Sequence, residues 1–322
     1  MFKLKKPFIC LALALGATSA AAQGYPDRPI TLIVPFAPGA SADAIARAVG
    51  REMSSTLGQT VIVDNRPGAG GAIGLMAVAK SNPDGYTIGL GATGAIAVNP
   101  HLPDSAPLKP KTDLQPLAKL ADIPLVLVAS AGGKYSKLDD FLRGARENPD
   151  TISYGHAGQY TSQHLAGEFL ANAAGVRLTP VPYKGSSPAV TDLLGGNIAA
   201  AMVDLTSARP HIQSGKLVAL GVTSPERSAV APEIPTIAEG GIKDYSALGW
   251  MGLFLPAATP QDIVEKLSDA VKNVMDTEAV RSQIINVSAE PVYLDAKQFE
   301  AFIDTESAKW AEVIQRIPAP AK

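Results

Sequence analysis

Three observations predict an α/β fold built on open, mostly parallel sheets flanked by helices. Short apolar, β-rich runs alternate with amphipathic helical stretches, and the alternation occurs as two separate series. Aromatic residues make up only 6% of the chain while glycine alone supplies 29 of its 322 residues, a composition suited to helices lying close on sheets. Some 300 residues remain after a leader segment. That exceeds what one hydrophobic core usually serves, so two domains are expected.

The first series opens at Ile30–Val34, a continuous apolar run of the kind buried on both faces of a parallel sheet. Ser41 can cap the helix that follows, whose inward positions Ile45, Ala48, Val49, Met53 and Leu57 keep the three-and-four spacing before Gly58 stops it. A strand at 60–63, a helix at 72–80, a turn at Asn82-Pro83-Asp84-Gly85 and a strand at 86–90 complete a βαβαβ unit. Residues 99–116 are proline-rich and aperiodic, which predicts a surface excursion. The second series places strands at 124–129, 152–154, 178–183, 198–203 and 217–222. Helices near 137–147, 161–174, 187–194 and 206–214 separate them, several ending at Gly175, Gly195 or Gly215. After Thr223 the texture turns proline-rich. A strand at 247–255 and helices at 260–276 and 295–317 follow. Phe299, Phe302, Ile303, Trp310, Val313 and Ile314 repeat at helical spacing in the last of these and are read as core.

The first 22 residues read as an export signal. Lys3, Lys5 and Lys6 precede an apolar stretch from Pro7 to Leu15, and Ala20-Ala21-Ala22 offers a cleavage site before Gln23. The apolar stretch is shorter than the ~20 residues a spanning helix needs, so a periplasmic product cut near Ala22/Gln23 is expected. The only cysteine, Cys10, lies in that leader, which excludes disulfides and thiolate chemistry from the mature chain. Without the three leader lysines, 25 basic side chains face 30 acidic ones, a formal charge of −5. No nucleic-acid partner is expected from such a balance.

Motifs for cofactor or catalytic chemistry fall short. In the run Gly68 to Gly74, GAGGAIG, the sixth position of a G-x-G-x-x-G match is Ile73, so a turn feeding close helix packing is the better reading. His101, His156, His164 and His211 are scattered. His164 and Glu168 share a helix face but no third ligand accompanies them, and no metal and no cofactor are expected. No G-x-S-x-G elbow occurs, and Lys184 to Pro188, KGSSP, does not form one. What recurs is another device. Four strands end in small-residue loops that open into helices, at 35–43, 91–97, 155–162 and 184–188. Helix starts carry unpaired N–H groups and the positive end of the backbone dipole, and so favour anions without a cationic side chain.

Taken together, the phrases YPDRPITLIVPFAPGASAD, VIVDNRPGAGGAIG, PDGYTI, VPYKGSSPAVTDLLGG, GKLVALGVTSPERS and EIPTIAEGG resemble, in order and nearly end to end, the periplasmic receptors of tripartite tricarboxylate transporters, the Bug family. The resemblance implies a two-lobed, hinged Venus-flytrap fold. One lobe would comprise 24–122 and 224–322, the other 123–223, with chain crossings near Asp122 and Thr223. It also implies a receptor that captures a small carboxylate, di- or tricarboxylic, amino or aromatic, and delivers it to integral-membrane transporter subunits without catalysis, a shuttle role that a monomer suits. Two other readings stay open: a secreted hydrolase or lyase on the same scaffold, and a ligand-sensing accessory of a signalling system.

Carried over by position, the first lobe would offer the ligand Phe36, Ala37, Pro38, Gly39, Ala40, Ser41 and Asp43, then Ala92 and Thr93. The second would offer His156, Gly158, Tyr160, Thr161 and Ser162, with Lys184, Gly185 and Asp204 nearby. Phe36 is expected to shield the pocket floor or pack beneath it. Asp43 could instead serve its own helix, and Asp204 could orient a hydroxyl or amino group or cap the helix after it. Ala40 stands where the family usually has a second glycine, and His156 where it has a small residue. Beside Tyr160, that histidine could stack on a ring or bind a second carboxylate.

Overall fold

The computed structural model describes residues 24–39, 41–102 and 107–316. The export leader with its cleavage site, and Ala40, lie outside the described residues. Among the described residues no helix is long and apolar enough to cross a membrane.

The first sheet is built from β1 (Ile30–Val34), β2 (Val61–Asn65), β3 (Thr87–Ala92), β4 (Leu114–Ile123), β10 (Gly249–Pro256) and β11 (Glu290–Asp295), in the order β11-β4-β10-β3-β1-β2. The second contains β5 (Leu125–Ser130), β6 (Ser153–His156), β7 (Thr179–Pro182), β8 (Ala200–Asp204) and β9 (Leu217–Val222), ordered β7-β6-β8-β5-β9. Helices α1 (Ser41–Leu57), α2 (Ala72–Ala79), the single turn α3 (Pro110–Asp113), α8 (Gln261–Met275), α9 (Glu278–Asn286) and α10 (Ala296–Arg316) accompany the first sheet. Helices α4 (Leu138–Glu147), α5 (Ser162–Ala174), α6 (Ser186–Leu194) and α7 (Leu205–Gln213) accompany the second.

Both sheets are mixed rather than mostly parallel. β1 pairs in parallel with β2 and β3, but β10 runs antiparallel to β3 and β4, and β11 antiparallel to β4. In the second sheet β6 is parallel to β7 and β8, whereas β5 is antiparallel to β8 and β9. Connectivity explains the mixture. The βα units give parallel neighbours; β4 and β9 keep that direction, whereas β5 and β10, the strands entered at the two chain crossings, run against it, as does β11.

The longest missed strand is β4. Its sequence LQPLAKLADI holds a proline and a lysine, which conceal a strand that is buried along most of its length. Lys119 is only 3% exposed. Its Nζ lies 2.6 Å from Asp122 and 3.9 Å from the centre of the Phe302 ring, so the buried charge is paired on one side and faces a π cloud on the other. α9 and β11 also escaped the sequence reading, because neither follows a clean apolar period.

The chain passes from β4 to β5 through Pro124 and returns between β9 and β10. Thr223, fully buried, ties these passages together: its amide donates to the Leu125 carbonyl at 3.0 Å, and its own carbonyl accepts from the Ala247 amide at 2.9 Å. Residues 224–246, assigned from sequence to the first lobe, pack largely on the second sheet. Val230, Ala231 and Ile234 join the cluster around Val126, Val203 and Leu193. Tyr245 stacks on Phe169 of α5 and donates to the Ala166 carbonyl. The aromatic stripe of α10 is core, as its spacing predicts: Phe299 and Trp310 are fully buried and Phe302 packs against them.

Candidate functional site

Strand direction brings the four small-residue loops together. β1 and β3 are parallel and end at one edge of their sheet, where residues 35–41 and 92–94 follow. β6, β7 and β8 also end at a common edge, where 157–162, 184–186 and 204–206 follow. These two edges face each other. Ser41 Oγ donates to Thr206 Oγ1 at 3.2 Å, Thr206 Oγ1 donates to the Val287 carbonyl, and Arg209 Nη1 reaches Ser288 Oγ at 3.4 Å. A β-carbon placed on Gly94 would lie 3.5 Å from the Tyr160 carbonyl oxygen, and one on Gly249 would lie 3.5 Å from Ser162 Oγ. Contact between the two halves is therefore made at several points around the expected cleft.

On the first-sheet side, Ala37, Pro38 and Gly39 are exposed, and Phe36 is half-buried against the core beneath them. Ser41, expected as a cap, is instead the first residue of α1, and its hydroxyl reaches across to α7. Asp43 is buried and fully engaged. Its oxygens accept from the Gly39 amide at 3.0 Å, the Asn65 amide at 2.9 Å and the Arg47 guanidinium at 2.9 Å. Burial alone would push this carboxyl up; the hydrogen bonds from Arg47, Gly39 and Asn65 outweigh it and hold the carboxyl below its usual value. Asp43 thus serves its own loop, and it occupies one of the loop amides expected to face a ligand. Ala92 is half-buried. Thr93 is 1% exposed, with its hydroxyl accepting from the Trp250 amide at 2.9 Å, which joins β3 to β10.

The second side is organised by two nodes. In the first, the His156 ring stacks on His164 with centroids 4.5 Å apart and planes at 31°, and His156 is only 1% exposed. His156 therefore backs the loop rather than lining the cleft. Its Nδ1 lies 2.9 Å from the Gly158 carbonyl. Burial lowers His156 to about 4, partly offset by that carbonyl, and burial together with the facing ring lowers His164 to about 3. Thr161 caps α5 by accepting from the His164 amide and donates to the Gly158 carbonyl at 2.7 Å. Gly158 sits at φ 135 and Tyr160 at φ 59, both in the left-handed half of backbone space.

The second node is Asp204. It stands at the start of α7 but makes no cap to it. Its Oδ1 accepts from Gln163 Nε2 at 2.5 Å and its Oδ2 from Ser186 Oγ at 3.2 Å, so one carboxylate ties together the first turns of α5, α6 and α7. Burial raises this carboxyl, and those two neutral donors only partly oppose the rise. Gly185 precedes Ser186 without a side-chain cap, and Lys184 is exposed to solvent. Sequence reasoning missed Gln163, Ser186, Thr206 and Asn65. Ser186 lay in the KGSSP phrase, but the others have no local signal because their partners are distant in the chain. The glycine run behaves as packing. A β-carbon on Gly74 would meet Pro35 Cβ at 2.8 Å and the Arg66 carbonyl at 3.0 Å, so α2 lies directly against the first loop.

Residues 45–318 match the model of the tripartite tricarboxylate transporter family receptor. The chain is 38% identical to protein BugT of Bordetella pertussis, over 98% of this chain and 97% of that one. It superposes on the periplasmic binding protein BugD with a TM-score of 0.81 at 33% identity, covering 91% of this chain and 98% of BugD. On MatC from Rhodopseudomonas palustris, solved with bound malate, the TM-score is 0.80 at 30% identity, with 90% and 100% covered.

Proposed function

Because the chain belongs to the tripartite tricarboxylate transporter receptor family, and is by family a periplasmic solute-binding receptor, we propose that its two halves close over a small carboxylate and hand it to integral-membrane transporter subunits. The lobes are 24–122 with 224–322, and 123–223, with 224–246 moving with the second sheet on which it packs. The ligand is a di- or tricarboxylic or an aromatic acid; the malate bound to MatC is of the first kind.

One observation carries this reading. Loops of small residues at the strand ends of two sheets face each other, and each of these loops opens into a helix start. α6 and α7 begin without side-chain caps, so their first-turn amides have no partner from a capping side chain. Since the Gly39 amide is already bound to Asp43, the anion seat on the first lobe falls to the first-turn amides of α1. Binding would then favour the closed arrangement over an open one by the ligand's extra contacts in the closed state.

Mass spectrometry of the molecule released from the purified protein, followed by calorimetric titration with a panel of carboxylic acids, tests the proposal. An organic acid recovered chemically unchanged and rebinding with one-to-one stoichiometry is expected. Failure of every acid to bind would overturn it, and chemical conversion of a bound acid would favour an enzyme instead. Co-purification with transporter membrane subunits, not with a sensor domain, is the expected partner result, and a monomer is expected by size-exclusion chromatography.

A further inference from the structure

His164 lies directly beneath backbone that approaches the opposite lobe. Its Nδ1 accepts the Tyr160 amide at 3.1 Å. Nδ1 must therefore be unprotonated, with the ring proton on Nε2. Tyr160 holds a left-handed conformation that a residue with a side chain adopts at a cost, and its carbonyl faces Gly94 across the cleft. The ring that supplies the acceptor is fixed by its stack on His156, whose own Nδ1 lies against Gly158, and Thr161 closes the same turn on the Gly158 carbonyl. Two imidazoles thus support the turn 157–161 from below.

We propose that His164 is a positioning residue for the binding loop: its neutral Nδ1 holds the Tyr160 amide, and protonating it releases the loop. On protonation Nδ1 would carry a hydrogen aimed at the Tyr160 N–H, replacing an attraction with a donor–donor clash. The groups around the ring do not offset the added charge equally. His156 faces it from β6 and Tyr160 from the loop, while Tyr154, also on β6, faces His156 and donates to the His164 carbonyl at 3.1 Å, and Glu168 lies one turn further along α5. Tyr245 lies beyond Tyr154, and Asp204 is joined to the helix start through Gln163. Glu168 is the nearest acid on the same helix face, but its carboxylate is hydrogen-bonded to the Tyr154 hydroxyl at 2.7 Å and burial raises it towards the neutral form. A positive His156 at a centroid distance of 4.5 Å would oppose a second charge on His164.

Backbone amide exchange followed by NMR on the mature protein tests this without any ligand. Protection of the Tyr160 amide is expected to fall by at least tenfold as pH drops from neutral towards about 3, while amides inside β6 and α5 keep theirs. His164→Asn supplies a side-chain oxygen that does not titrate and should preserve Tyr160 protection in acid. His164→Leu should lose it already at neutral pH. Tyr160 protection that is unchanged by acid in the wild type, or an Asn variant as acid-labile as the wild type, would overturn the proposal, even if His164→Leu fails to fold. The bearing on ligand retention rests on the receptor reading above. The loop measurement does not, so it can fail while that reading stands.

Discussion

Ser41 Oγ donates to Thr206 Oγ1 at 3.2 Å, joining the first residue of α1 to the first turn of α7 across 165 positions of chain. Thr206 passes the connection on to the Val287 carbonyl. One hydroxyl therefore links three segments, two from the first-sheet half and one from the second. Thr206→Val keeps the shape of the side chain and removes both links. Each of these partly buried hydrogen bonds is worth about 0.5–1.5 kcal/mol net, so the variant should open the cleft in the unliganded protein and weaken ligand binding by about five- to 150-fold. Small-angle scattering should report a larger radius of gyration with a nearly unchanged melting temperature. An unaltered scattering profile would mean the contact does not govern closure.

Asp43 holds the first loop through three donors, so Asp43→Asn should disturb that loop more than the core. Asparagine keeps one acceptor oxygen but loses the charge that Arg47 and the Gly39 amide face. A cost of about 1–3 kcal/mol is expected from the weakened hydrogen bonds to a buried group, read by denaturant unfolding. The Asp43 carboxyl lies below its ordinary value. Its contribution is therefore complete above the unfolded value of about 4 and is lost as pH falls through the folded value. In the Asn variant that part of the acid dependence should disappear.

The buried histidine pair predicts a second, separate acid dependence. Both rings are neutral in the folded protein and lie below the usual histidine value, at about 4 for His156 and about 3 for His164. The unfolded chain takes up protons from about pH 6.5 downward while the folded one does not, so stability is complete above that point and declines as pH falls towards the folded values. At about pH 5 the loss should reach roughly 2 kcal/mol per histidine. Urea unfolding at neutral pH and at about pH 5 checks this. His156→Gln, which cannot titrate, should flatten the slope over that interval.

Gly74→Ala tests the packing of α2 against the first loop. The added methyl would sit 2.8 Å from Pro35 Cβ and 3.0 Å from the Arg66 carbonyl, neither of which can move without shifting backbone. A loss of about 1–3 kcal/mol is expected, together with weaker ligand binding, because Pro35 leads directly into 36–39. Full affinity in the substituted protein would show that the loop tolerates displacement.

Much of the architecture could be read from local pattern. The run at Ile30–Val34 is a strand buried on both faces, the helices 41–57 and 261–275 follow their apolar spacing, and the α10 aromatics are core. β4 was not readable, since a buried Lys119 looks like a surface residue until its partners Asp122 and Phe302 are known. The site was legible as a set of loops but not as a set of contacts. Asp43 and Asp204 both stood out as acids beside helix starts. That one binds its own loop and the other ties three helices together depends on Asn65, Gln163 and Ser186, which lie 18 to 41 positions away.

By itself the sequence determined the α/β class, most helices and strands, and the family, because periodicity, turn residues and motif phrases are local and survive in any one-dimensional reading. Tertiary structure alone decided strand direction at the crossings, the attachment of 224–246 to the second sheet, the withdrawal of His156 behind its loop and the union of Ser41 with Thr206. Each of these turns on two groups far apart in the chain reaching hydrogen-bonding or van der Waals distance. Such proximity is fixed by how whole sheets pack, not by the residues on either side of it.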